Sequence, residues 1–250
     1  MHIFLALEIK PVYNIACNCK MTLQNIQEDL VKLFLRLNGY FTTGLVIHSP
    51  NYGNNQTELD TLAIRLPFHN QPDRVIECSE YLQIPNGTID IIIGEVKSGT
   101  EAIQINSALR NDRNSIEKLL NWLGAFDGDE ITAVIDNLQA AMATEEINTP
   151  DNFKCLSIQN KSGNYSIRPI VFSVDRPQPR RNQSRFVYGQ LMLDYIWNCL
   201  RPETVRPTCS TIYNLNMWGH SMLPLIEYFK DEKKTSAGNM KDLYKHFGFE

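Results

Sequence analysis

From Thr22 onward, apolar residues recur at helical spacing, with Leu23, Ile26, Leu30, Leu33, Phe34 and Leu37 on one face. Thr22 is a suitable N-cap and Gly39 a C-terminal stop, so the pattern predicts a helix between them. Val31 and Leu35 widen its apolar surface, which predicts cover on more than one side. Two further stretches, 40–48 and 58–66, read as strands joined by the turn-rich segment 49–56. A polar insertion over roughly 67–87 follows. Ile89 to Val96 is then a short, β-branched run, the pattern of a buried central strand. Helical spacing resumes with Ile103, Leu109, Ile116, Leu119, Leu120 and Leu123, and again across 130–142. Segments 153–159 and 165–174 are strand-like, and helical patterns return at 188–200, 218–230 and 239–247.

The order α-β-β-β-α-β predicts an α/β fold, a mixed central sheet flanked by helices, with a helical C-terminal part. The Pro- and Arg-rich stretch 176–185 marks a soft boundary. The expected organisation is an N-terminal extension over 1–21, a core over 22–175, and a basic linker with a helical region over 176–250.

Composition changes this picture little. A chain of 250 residues with 43 % apolar and 21 % charged residues is an ordinary globular protein that buries a core without staples. The opening run Met1–Ile9 is apolar, but Glu8 and Lys10 interrupt it and no basic segment precedes it. It fits neither a signal peptide nor a membrane span. Cys17, Cys19, Cys78, Cys155, Cys199 and Cys209 lack the paired spacing of a structural zinc site, so reduced thiols and a cytoplasmic location are expected. The net charge of −4 argues against general coating of nucleic acid but not against a local basic groove. Arg176, Arg180, Arg181 and Arg185 lie in the best stretch for phosphate contact.

The candidate chemistry sits at the ends of strands. Asp60 lies in Thr-Glu-Leu-Asp-Thr, and Glu95 and Lys97 lie in Gly-Glu-Val-Lys-Ser. Strand alternation puts Glu95 and Lys97 on one face and Val96 on the other. Carboxylates from adjacent strands can hold Mg²⁺ or Mn²⁺ through hard oxygen ligands, with the Val96 carbonyl as a further donor. A lysine beside them can orient or deprotonate a water for phosphodiester hydrolysis. Asp90 is nearer to Glu95 in sequence, but its odd spacing points it to the opposite face, so Asp60 is preferred.

These residues resemble the PD-(D/E)XK nuclease superfamily, particularly the branch with archaeal-type Holliday-junction resolvases and type IV restriction-like nucleases. The likeness covers about residues 22–110, and extends to the strand at 165–174: Glu28 on the first helix, the Gly39-Tyr40 pair ending it, Asp60, and Glu95-Val96-Lys97. Leu59 replaces the signature proline, and the gap from Asp60 to Glu95 requires an insertion at 67–87. The resemblance implies a restriction-endonuclease-like core and a Mg²⁺- or Mn²⁺-dependent endonuclease acting on DNA. Asp60, Glu95 and Val96 would hold the metal, Lys97 would position water, and Glu28 and Gln104 would assist. It also implies a dimer in which two centres cut two strands.

Other residues point elsewhere or nowhere. Glu58 shares a strand face with Asp60, either as a carboxylate supporting it from behind or simply exposed. His48, His69 and His220 form no ligand pair, and Tyr213, Trp218, Tyr228 and Phe229 fit packing of a helical region better than base stacking. Phosphate-loop, dinucleotide, nucleophile-elbow and kinase signatures are missing from the sequence. Two alternatives stay open: a non-catalytic module holding nucleic acid or protein on the same fold, and a nuclease directed at RNA.

Overall fold

The computed structural model describes residues 21–48, 55–71, 74–99, 105–143, 156–160, 163–177, 186–201, 219 and 221–249. Helix α1, Leu23–Leu37, starts as the sequence predicts. The Thr22 hydroxyl accepts from the Asn25 amide, and the Asn25 side chain accepts in return from the Thr22 amide. Gly39, at φ +85°, ends the helix turn in a conformation that disfavours other residues. A Cβ there would also lie 2.3 Å from the His69 ring.

Strands β1 (Phe41–His48), β2 (Asn55–Arg65) and β3 (Ile89–Lys97) form an antiparallel run. Helices α2 (Ser107–Asn111), α3 (Arg113–Leu123) and α4 (Gly128–Ala143) follow. Strand β4 (Leu156–Asn160) is antiparallel to β5 (Gly163–Ser173), and β5 returns parallel to β3. A three-residue strand, β6 (Phe186–Tyr188), pairs parallel with the last residues of β5, beyond the stretch that β4 covers. Helices α5 (Gly189–Leu200), α6 (Leu223–Lys230) and α7 (Met240–His246) complete the described chain. The result is a mixed α/β fold around a six-stranded open sheet in the order β1-β2-β3-β5-β4, with β6 beside β5.

Each face of the sheet buries its own apolar layer. On one, Ala63, Ile92, Ile170 and Phe172 meet α1, α5, α6 and α7. On the other, Leu62, Ile91, Ile93 and Val171 meet α2, α3 and α4. The sheet thus crosses the boundary expected near 176, since β6 lies beyond it, and α5 to α7 share one core with α1. Tyr228 and Phe229 belong to that core, as packing predicts, while Tyr213, Trp218 and the extension 1–20 lie outside the described residues. No described helix is long and apolar enough to cross a membrane.

The insertion at 67–87 is anchored rather than looped out. Its 3₁₀ turn, Glu80–Leu82, buries Leu82, and the Ser79 amide donates to the Asn38 side chain at 2.7 Å. It also closes over a buried charge network. Arg168 on β5 donates to both oxygens of Asp90, to the Leu82 carbonyl and, at 3.1 Å, to the Tyr40 hydroxyl. The Tyr40 hydroxyl donates to Asp90 at 2.5 Å.

Candidate functional site

The pairing of β2 with β3 runs from Arg65 opposite Asp90 to Thr61 opposite Gly94, and there the strands part. Two features set the geometry at that point. First, Thr43 pairs with Leu62 but Leu45 pairs with Leu59, so Asp60 and Thr61 together face Gly44 in a β-bulge. Bulges re-aim side chains and are common beside functional sites. Second, Gly94 leaves room for close approach, since a Cβ there would lie 2.9 Å from Phe172 and 3.2 Å from the Thr61 carbonyl.

Past the bulge, Asp60 takes over the role of a paired strand: its Oδ2 accepts the Val96 amide at 2.7 Å. A strand residue's amide and carbonyl point to the same neighbour, so the Val96 carbonyl faces the same gap. The Val96 side chain packs into the layer of α1 and α5, as alternation predicts. Lys97 donates to Glu95 Oε1 at 2.5 Å, so these two side chains meet on one face of β3, as alternation predicts. Glu95 is 4 % exposed, and its Oε2 is buried with no hydrogen-bond partner. Asp60, Glu95, Val96 and Lys97 are therefore brought together. Asp90 is not among them, being held in the Tyr40–Arg168 network.

Glu28 reaches the same centre from α1. Its carboxylate pairs with Lys32 at 3.3 Å and accepts from Gln24 at 2.9 Å. Burial, and then the charge of Glu28, raise the Asp60 carboxyl above the usual carboxylate range, against the Val96 amide, Lys97 and Lys32. Burial likewise raises Glu95, and Asp60 adds to it, while Lys97 and the nearby Asn106 amide oppose the rise. Lys32 is a charged neighbour of this centre that strand-end reasoning misses; its place one helical turn after Glu28 is the signal that could have found it.

Among the described residues, six buried side-chain polar atoms lack a partner, and four of them belong to Thr61, Glu95, Ser173 and Arg176. Ser173 pairs with Lys97 across β3 and β5, and Arg176 follows three residues later, so all four lie at one end of the sheet. Buried polar groups are normally satisfied, so the Glu95 and Ser173 atoms, on one face of the sheet, leave capacity for a ligand, ion or water, while Thr61, opposite Gly94, lies on the other face. Of the four arginines expected at phosphate, Arg176 lies within the described residues; Arg180, Arg181 and Arg185 lie outside them, as does Gln104. No three described His, Cys, Asp or Glu side chains converge as a metal cage.

The raised carboxyls have a consequence for stability. Glu95 is stabilising when protonated, and that contribution is lost as pH rises through its elevated folded-state value. Glu95→Gln is therefore expected to unfold a few degrees Celsius higher than the native chain at pH 8. The gap should close on acidification. Thermal unfolding from pH 8 to pH 4 checks this, and a gap that widens toward acid would contradict it.

Comparison with family models, curated proteins and solved structures gave no match to this chain.

Proposed function

We propose that the chain is a metal-dependent nuclease that hydrolyses phosphodiester bonds in DNA, built on a restriction-endonuclease-like core of the PD-(D/E)XK kind. The observation that carries this reading is the meeting of Asp60 with the Glu95-Val96-Lys97 run where β2 and β3 part, with Glu95 Oε2 buried and unpartnered. Two carboxylates raised by burial and by a neighbouring carboxylate, Glu28 for Asp60 and Asp60 for Glu95, favour a small dication, because its charge relieves both. Asp60, Glu95 and the Val96 carbonyl offer the hard oxygen donors that suit Mg²⁺ or Mn²⁺. When bound, such an ion supplies Lewis-acid stabilisation of charge developing on the phosphate.

The remaining roles fall to the chain's own groups. Lys97, 38 % exposed at its side chain, holds Glu95 in place and reaches solvent, where its ammonium can donate to an attacking water and orient it. Glu28 and Lys32 set the field on Asp60 from the side of α1. Arg176, with Gln104, Arg180, Arg181 and Arg185, would contact the substrate and assist the centre. Endonucleolytic cutting by a dimer belongs to the same proposal.

Metal linkage tests it without any assumption about substrate. Saturating Mn²⁺ or Mg²⁺ should raise the unfolding temperature of the native chain, since a ligand at about 100 times its Kd adds roughly 2.7 kcal/mol. Asp60→Asn should lose that rise. An equal rise in the variant, or none in the native chain, would rule out this centre as the metal site.

A further inference from the structure

Away from this centre, the 74–82 segment, which carries Arg74 and Cys78, packs against α5, which carries Cys199. Arg74 Nη2 donates to Cys199 Sγ at 3.0 Å and also to the Tyr195 hydroxyl, one helical turn earlier on α5. The Tyr195 hydroxyl in turn lies 3.3 Å from the Glu77 carbonyl and 3.4 Å from the Leu37 carbonyl. Cys78 follows Glu77 directly. Its Sγ is 4.0 Å from the next carbonyl of the α1 terminus, Asn38, and 3.9 Å from Arg65 Nη2. Both thiols act electrostatically on the Arg74 guanidinium and on the Tyr195 hydroxyl. Neither is in a disulfide; Cys78 is exposed and Cys199 is 7 % exposed.

We infer that Cys78 and Cys199 form a peroxide-responsive thiol pair, with Cys78 as the attacking sulfur and Cys199 as the resolving one. A peroxide-responsive pair combines an accessible attacking thiol with a second thiol that can resolve its oxidised form. Cys78 has the access and Arg65 beside it, while Cys199 has the closer arginine contact and is shielded from direct attack. The Cys78 thiolate attacks hydrogen peroxide, breaking the O–O bond to give a sulfenic acid and hydroxide. The Cys199 thiolate then attacks the sulfenic sulfur, forming the S–S bond and expelling hydroxide. With the two thiol protons counted, two thiols and one peroxide give one disulfide and two waters. The product would tie the segment that covers the Asp90–Arg168 network to α5.

The test is to expose the full chain to graded hydrogen peroxide, block remaining thiols by alkylation, and map the peptides. The pair should appear as a crosslinked Cys78–Cys199 peptide at peroxide levels that leave most of the other four cysteines alkylatable. Cys199→Ser should stop the reaction at the sulfenic acid, trapped on Cys78 by dimedone. Arg74→Gln should slow loss of the two thiols about tenfold or more, with Arg74→Lys restoring much of the rate. Alkylation of both thiols after oxidation of the others, or a dimedone adduct on native Cys78 without the crosslink, would overturn the inference.

Discussion

Asp90→Ala is expected to destabilise the fold by about 3–5 kcal/mol, the range for removing one partner of a buried ion pair. Arg168 is 3 % exposed and Asp90 1 %, so the variant would leave a guanidinium inside the protein without its carboxylate. In a chain of this length the loss corresponds to roughly 10 °C or more in unfolding temperature. Tyr40→Phe removes one donor from the same carboxylate and should cost about 1 kcal/mol. Burial and the Asp90 charge already hold the Tyr40 phenol far above its ordinary value, so that hydroxyl stays a donor across the accessible pH range. Replacing both Asp90 and Arg168 by apolar residues should recover much of the loss, because the cost lies in the uncompensated charge. Urea unfolding of the three variants checks this. A loss below about 1 kcal/mol for Asp90→Ala would mean that the network is not what fixes this end of β3.

The same network explains why a nearer carboxylate is not part of the candidate centre. Alternation along β3 separates Asp90 from Glu95 by face, and that much is legible from residue spacing alone. Its partner is not, since Arg168 stands 78 residues away on a strand whose parallel register with β3 no local pattern specifies. The helix α1, the strand β3 and the Glu95–Lys97 pair are legible because each depends on local features: a cap, an apolar period, a charged strand end.

The setting of Asp60 was only half legible. Its identity stands out in the sequence, but its aim depends on a bulge, and Leu59-Asp60-Thr61-Leu62 gives no sign that two residues will face one. β6 escaped notice because three residues carry too little periodicity to declare a strand, although pairing beside Ser173 extends the parallel end of the sheet. The packing of α5 to α7 against α1 was hidden for a similar reason. Their apolar faces show that they pack, whereas the choice of partner is a property of the whole core.

The second large effect concerns Lys97. Its ammonium is the group best placed to meet both Glu95 and a water in solvent reach, and general-base or positioning groups contribute typically 10²–10⁴-fold to such reactions. Lys97→Ala removes that group and leaves Asp60, Glu95 and the Val96 carbonyl as donors. The variant should therefore still show metal-dependent stabilisation while losing turnover by about that factor. Loss of both together would assign Lys97 to holding the site rather than to the chemical step.

The most direct measurement is cleavage of linear, nicked, branched and single-stranded DNA, with RNA alongside, by the native chain and by Lys97→Ala in Mg²⁺ or Mn²⁺. The account predicts metal-dependent cutting of at least one DNA form by the native chain, reduced at least about a hundredfold in the variant. Absence of cutting by the native chain on every substrate, cutting confined to RNA, or equal cutting by the variant would contradict it.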